Sequence, residues 1–148
     1  MYKRILIATD GSELSSKGLQ QGLALAARLG AEVDIVTVSE PWAMGMYDAM
    51  GWSVGYEATA EYRQDREQGA QAILGPALEA AAAAGVPAHG CHVLDRYAAE
   101  GIIDIATSHH NDLIVMTSHG RRGMSRVLLG SQTAEVLARS QVPVLVIR

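Results

Sequence analysis

Apolar residues fall into two kinds of stretch along this chain, short β-branched runs and longer segments in which they recur every three or four positions. That alternation predicts successive βαβ units, with helices covering a parallel sheet. The first run, Arg4–Thr9, does not alternate polar with apolar residues, as expected of a strand buried on both faces. Asp10-Gly11-Ser12 ends it. Glu32–Val38, Ala88–Leu94, Asp112–Thr117 and Val142–Ile147 supply four more strands. The third is less apolar than the others, which places it towards a sheet edge. Pro143 is tolerable at the start of the fifth, where a missing donor costs little.

Helical spacing links the strands. Leu19, Leu23, Ala26 and Ala27 define a first helix, with Gly30 where a left-handed cap would sit. Tyr62, Ile73, Leu74, Leu78 and Ala81 define a second that ends before Gly85. Pro76 lies inside it and predicts a kink or break near Ala72–Pro76. Ile102, Ile105, Ala106 and His109 mark a third helix, and Ala134, Leu137 and Ala138 a fourth.

Right-handed crossovers leave few arrangements for such a chain. The expected fold is α/β: a single doubly wound domain over residues 1–148, with a five-stranded parallel sheet of order 3-2-1-4-5 and helices on both faces, Rossmann-like. In that order strands one and four are neighbours, and ligands bind beyond the carboxyl ends of strands where the connections diverge. Asp10–Ser12 and the loop Thr117–Ser131 fall there.

Composition narrows the function classes. A length of 148 residues suits one domain, and 49% hydrophobic content is enough for a packed core. The net charge of −4 argues against nucleic acid as a partner. The lone cysteine, Cys91, excludes an internal disulfide. The run Ile5–Ala8 is too short for a secretory apolar region, and no stretch approaches the roughly 20 apolar residues that span a bilayer. A reducing, cytoplasmic setting without membrane insertion is expected.

The chemistry concentrates in Thr117-Ser118-His119-Gly120-Arg121-Arg122-Gly123 and in Leu128-Leu129-Gly130-Ser131, which opens a helix. Gly120 and Gly123 can adopt positive φ and bring backbone amides close to an anion, and Gly130 allows a similar approach. Ser131 can cap the helix and offer a hydroxyl, while the helix N-terminus attracts phosphate without a lysine. Walker A and dinucleotide-fingerprint spacings are both absent. Glycines before a helix also serve as turn and cap residues, so spacing alone leaves both readings standing. Their place at the strand switch point favours binding.

These segments resemble the ATP-binding branch of the universal stress proteins, whose phosphate loop runs Gly, two residues, Gly, nine residues, Gly, then Ser or Thr. Gly120 takes the second glycine, Arg121–Leu129 the nine residues, and Gly130-Ser131 the end. Thr117 stands at the first glycine. Its Cβ excludes a glycine-only conformation but leaves a hydroxyl and a backbone to offer. The resemblance extends to Ile5-Leu6-Ile7-Ala8-Thr9-Asp10-Gly11-Ser12, to Val36-Thr37-Val38 and to Val142-Pro143-Val144-Leu145-Val146. It implies that Ala8, Thr9 and Asp10 line adenine and ribose, with Asp10 an acceptor, and that Val38 forms an apolar wall of the adenine site. It further implies that Met116 and Thr117 begin the phosphate loop and that Gly120, Gly130 and Ser131 contact phosphate. Arg121, Gly123 and Gln132 complete the candidate set for ATP, ADP or AMP, with Mg²⁺ as a companion of ATP.

The implied function is a stress-response sensor or adaptor with at most slow hydrolysis, since no carboxylate and histidine with a clear general-base role stand around the loop. Two alternatives compete: a nucleotide-independent interaction module, and a nucleotide hydrolase or adenylyl-transfer enzyme. The apolar fifth strand at an edge invites a second chain, and the resemblance implies a homodimer through it. The tryptophan- and methionine-rich segment Ser39–Tyr56 reads as a packed loop, a lid or a surface for a protein partner.

The remaining candidates favour structural roles. His119 is expected to order its loop rather than relay a proton. His109 and His110 are adjacent and cannot share a metal, and His89 and His92 lack a matching cysteine or carboxylate cluster. No protein metal site is expected. Cys91 reads as a small buried hydrophobe.

Overall fold

The computed structural model describes residues 1–41, 59–120 and 128–148. Five strands, β1 (Arg4–Ala8), β2 (Glu32–Ser39), β3 (Ala88–Leu94), β4 (Leu113–Thr117) and β5 (Val144–Ile147), alternate with α1 (Glu13–Leu29), α2 (Ala60–Ala83), α3 (Ala98–Ser108) and α4 (Ser131–Arg139). All pairings are parallel, in the order β3-β2-β1-β4-β5. The α/β architecture and strand order match the expectation, with β3 at one edge and β5 at the other.

Successive side chains of a strand point to opposite faces, so a strand buried on both sides feeds two cores. Ile5, Ile7, Val33, Ile35 and Val115 pack with Leu19, Leu23 and Ala26 of α1 and Leu74, Ala77 and Ala81 of α2. Leu6, Val36, Ile114 and Met116 pack with Ala99, Ile102 and Ala106 of α3 and Val136 of α4. The uninterrupted apolar run of β1 is thus the signature of two helix layers rather than one.

Several boundaries differ from expectation for local reasons. β4 starts at Leu113 because Asp112 turns its carboxylate to the start of β1, accepting from Lys3 N at 2.8 Å and Arg4 N at 3.1 Å. β5 starts at Val144, and Pro143 outside it still accepts from Ile114 N through its carbonyl. Helix α1 opens on Ser12, whose side chain accepts from Ser15 N, and closes on Gly30 at φ 64.

The break expected near Pro76 does not occur, and α2 runs unbroken through it. Pro76 removes the donor for the Ala72 carbonyl, but both residues lie on the exposed side of the helix, where water can satisfy that group.

Candidate functional site

β1 and β4 are register neighbours, Ile5 beside Leu113 and Ile7 beside Val115. From β1 the chain enters α1 on one face, and from β4 it proceeds to α4 on the other. The carboxyl ends of these two strands therefore form the switch-point crevice, and Ala8, Thr9 and Asp10 are brought to it together with Thr117, Ser118 and Gly120.

Asp10 is held by its own turn. Its Oδ1 accepts from Ser12 N at 2.9 Å, an Asx turn that uses the positive φ of Gly11. Its Oδ2 faces Gly120, where an added Cβ would lie 2.8 Å away. The expectation that Gly120 serves by positive φ is corrected here: among the described glycines, Gly11, Gly30 and Gly85 have it, and Gly120 does not. Gly120 is needed for close approach to a carboxylate instead. Thr9 is buried, donates its N–H to Val36 O, and pairs its hydroxyl with Ser15 Oγ at 3.1 Å.

The loop after β4 is stapled at its base. Gly130 N donates to Ser118 O at 2.8 Å, and the Thr133 hydroxyl donates to Thr117 O at 2.9 Å. A Cβ on Gly130 would approach Ser118 O to 3.1 Å, so the glycine lets the two loop ends meet. Thr117 turns its hydroxyl to His119 O at 2.8 Å and its methyl towards Gly18 of α1. His119 Nδ1 lies 3.0 Å from Ser118 Oγ, a hydrogen bond within the loop.

Ser131 does not cap α4. Gly130 occupies the N-cap position in an extended conformation, φ −59 and ψ 149, and as a glycine it offers no side chain to the first-turn N–H groups of the helix. Ser131 is exposed as the first helical residue. Gln132 has a structural engagement that sequence reasoning did not assign: its Oε1 accepts from Ala99 N at 2.9 Å, at the start of α3, where Tyr97 supplies no cap. Val38 is half-buried and packs on Gly101 of α3, and Met116 is buried in the same core layer. Arg121 and Gly123 lie outside the described residues, as does the segment Ser39–Tyr56 beyond Pro41.

A second polar constellation was missed. Ser39 Oγ lies 2.8 Å from His92 Nε2, and His92 Nδ1 lies 2.8 Å from Glu67 Oε2. A carboxylate can only accept, so Nδ1 carries the proton shared with Glu67, and Nε2 is left for the Ser39 hydroxyl. The three residues come from β2, β3 and α2, and no sequence spacing joins them.

The model of the universal stress protein family matches residues 1–148. The chain belongs to the universal stress protein family. Universal stress protein MJ0531 of Methanocaldococcus jannaschii is 32% identical over 150 residues, covering 100% of this chain and 83% of that protein. Universal stress protein YxiE of Bacillus subtilis is 32% identical over 149 residues and is covered in full, as is this chain. Among solved structures, the MJ0577 protein superposes with a TM-score of 0.82 at 28% identity, covering 99% of this chain and 96% of that one. A universal stress protein in complex with cAMP shares the fold, with a TM-score of 0.74 at 24% identity over 99% of this chain and 97% of that one. An Archaeoglobus fulgidus member in complex with dAMP does so at 0.69 and 17%, over 99% and 98%.

Proposed function

We propose that this universal stress protein binds ATP, ADP or AMP at the carboxyl ends of β1 and β4 and works as a stress-response sensor or adaptor. The observation that carries the reading is the meeting of Asp10 with Gly120: an acceptor suited to a ribose hydroxyl stands beside a glycine whose missing Cβ keeps the crevice open. Ala8, Thr9 and Val38 would form the nucleoside side. Gly120, Gly130 and Ser131 would meet the phosphates at the N-terminus of α4, whose N-cap is a glycine and where backbone N–H groups and the helix dipole favour an anion. Thr117 at the first glycine position is compatible with this, because its methyl and hydroxyl are taken up by Gly18 and His119 O. Two proteins of the same fold hold adenine nucleotides, cAMP and dAMP.

Mg²⁺ would bind with the triphosphate rather than in a cage of its own, and hydrolysis would be slow at most. A cytoplasmic homodimer paired through β5 belongs to the same reading, supported by the edge position of that strand and the exposure of Leu145. Nucleotide occupancy would then shift the surface offered to a protein partner.

The test is whether protein purified without added nucleotide releases ATP, ADP or AMP on denaturation and whether Mg-ATP raises its melting temperature. A hundredfold excess over Kd should add about 2.7 kcal/mol of stability. No release and no shift with any adenine nucleotide would transfer the protein to the nucleotide-independent interaction modules.

A further inference from the structure

The opposite end of the sheet gathers a different chemistry. Asp34 sits in the middle of β2 and is only 7% exposed, an unusual place for a carboxylate. It points to the face covered by α3. Cys91 of the edge strand β3 is half-buried on that same face. His109 arrives from the C-terminal end of α3. The donor atoms of Asp34, Cys91 and His109 all lie within 4.8 Å of one another.

The backbone explains how distant residues converge. His110 takes a left-handed conformation, φ 56, and ends α3 with a reversal. As a result His109 and Asn111, two positions apart, both reach Asp34. The His109 carbonyl is fixed by Arg4 Nη1 at 2.9 Å. Asn111 Nδ2 donates to Asp34 Oδ2 at 2.8 Å, which orients the carboxylate and directs its Oδ1 to His109 Nδ1, 3.3 Å away.

That last distance is informative. It is long for a hydrogen bond between these groups, whose usual length is about 2.9 Å. It matches the roughly 3.3 Å edge of a tetrahedron whose centre lies about 2.0–2.1 Å from a nitrogen and an oxygen. An independent observation points the same way: Asn111 is 5% exposed, and its Oδ1 has no hydrogen-bond partner among the described residues. Buried polar atoms are rarely left so, and a cation beside the amide would account for it.

We propose that Asp34, Cys91 and His109 form a binding site for a divalent transition metal of the Zn²⁺ type, separate from the crevice at Asp10. One sulfur, one imidazole nitrogen and one carboxylate oxygen suit a borderline cation and not Mg²⁺ or Ca²⁺, which take oxygen ligands. Asn111 is the positioning residue, holding Asp34 by one oxygen, as carboxylate ligands are commonly held. Binding would tie β2, β3 and the end of α3 together and releases the thiol proton to solvent as the thiolate joins the metal.

The test uses the full reduced chain after chelator treatment, titrated with Co²⁺ and then with Zn²⁺. One equivalent of Co²⁺ should give a near-ultraviolet thiolate charge-transfer band and the intense visible bands of tetrahedral cobalt, both removed by one equivalent of Zn²⁺. Cys91→Ser should abolish the charge-transfer band, and His109→Gln, at a half-exposed position where folding is safe, should weaken Zn²⁺ binding at least tenfold. Zn²⁺ should also protect Cys91 of the unaltered chain from alkylation, a readout independent of any variant's folding. A weak octahedral cobalt spectrum without the sulfur band, or Zn²⁺ affinity unchanged in His109→Gln, or alkylation of Cys91 at the same rate with and without Zn²⁺, would each overturn the site.

Discussion

Gly18 and Thr117 are shaped for each other: a Cβ placed on Gly18 would lie 2.7 Å from Thr117 Cγ2. Glycine inside a helix ordinarily costs about 1 kcal/mol relative to alanine, so its presence in α1 is bought by the methyl opposite. Gly18→Ala should therefore destabilise the fold despite its better helix propensity, because overpacking costs about 1–3 kcal/mol. Thr117→Ser removes the methyl and keeps the hydroxyl that bonds His119 O. The double variant should recover most of the loss, with a coupling of about 1 kcal/mol or more in urea unfolding. Additive effects would show that the two residues do not bear on each other.

Gly120→Ala tests the crevice from the other side. Its new Cβ must displace Asp10 Oδ2, and Asp10 is tethered to Ser12 N. Gly120 is itself exposed, so the fold should lose little. Adenine nucleotide affinity should fall at least about tenfold, equivalent to about 1.4 kcal/mol, by calorimetry, while the melting temperature without nucleotide stays near that of the unaltered chain. Undiminished affinity would separate Gly120 from the nucleotide.

Thr133→Val probes the staple at the base of the loop. It keeps the volume and removes the buried bond to Thr117 O. A buried acceptor deprived of its partner costs about 1–3 kcal/mol, readable as a lower urea midpoint with an unchanged slope.

Glu67 supplies a pH dependence with a definite sign. Gln71 Nε2, at 2.8 Å, and then His92 hold its carboxyl below the usual range. A carboxylate with a depressed folded pKa stabilises the fold above its unfolded value, about 4.3, and that contribution is lost as pH falls through the lowered folded value. The difference in urea midpoint between the unaltered chain and Glu67→Gln should thus be largest above that value and shrink below it. Since Glu67 is exposed, the effect should be small and should diminish in salt. A difference that stays constant with acidification would contradict it.

The sheet was legible in the chain because burial on both faces leaves uninterrupted apolar runs, as in Ile5–Ile7 and Leu113–Met116. The order of its strands followed from the handedness of crossovers. Local geometry was harder. Pro76 does not break α2 because its side of the helix meets water, and exposure cannot be read from a single proline. Gly120 was singled out for a backbone conformation it does not adopt, since the reason for it lies in Asp10, a residue far away in the chain. Ser131 resembled a cap but stands one position inside the helix. His92 with Glu67 and Ser39, and His109 with Asp34 and Cys91, carry no spacing signature. Strand register and the turn at His110 bring them together, and those appear only in three dimensions.

Asp112 reaches back 109 positions to Lys3, and this closure bears on how the protein is made. On a ribosome β1 emerges first and can pair with β2, and β2 with β3, as soon as each follows. The other flank of β1 stays bare until β4 is synthesised, after β3 and α3. A nascent chain stalled before that point would present the apolar Ile5–Ala8 of β1 as an open edge, so timely arrival of β4 protects β1.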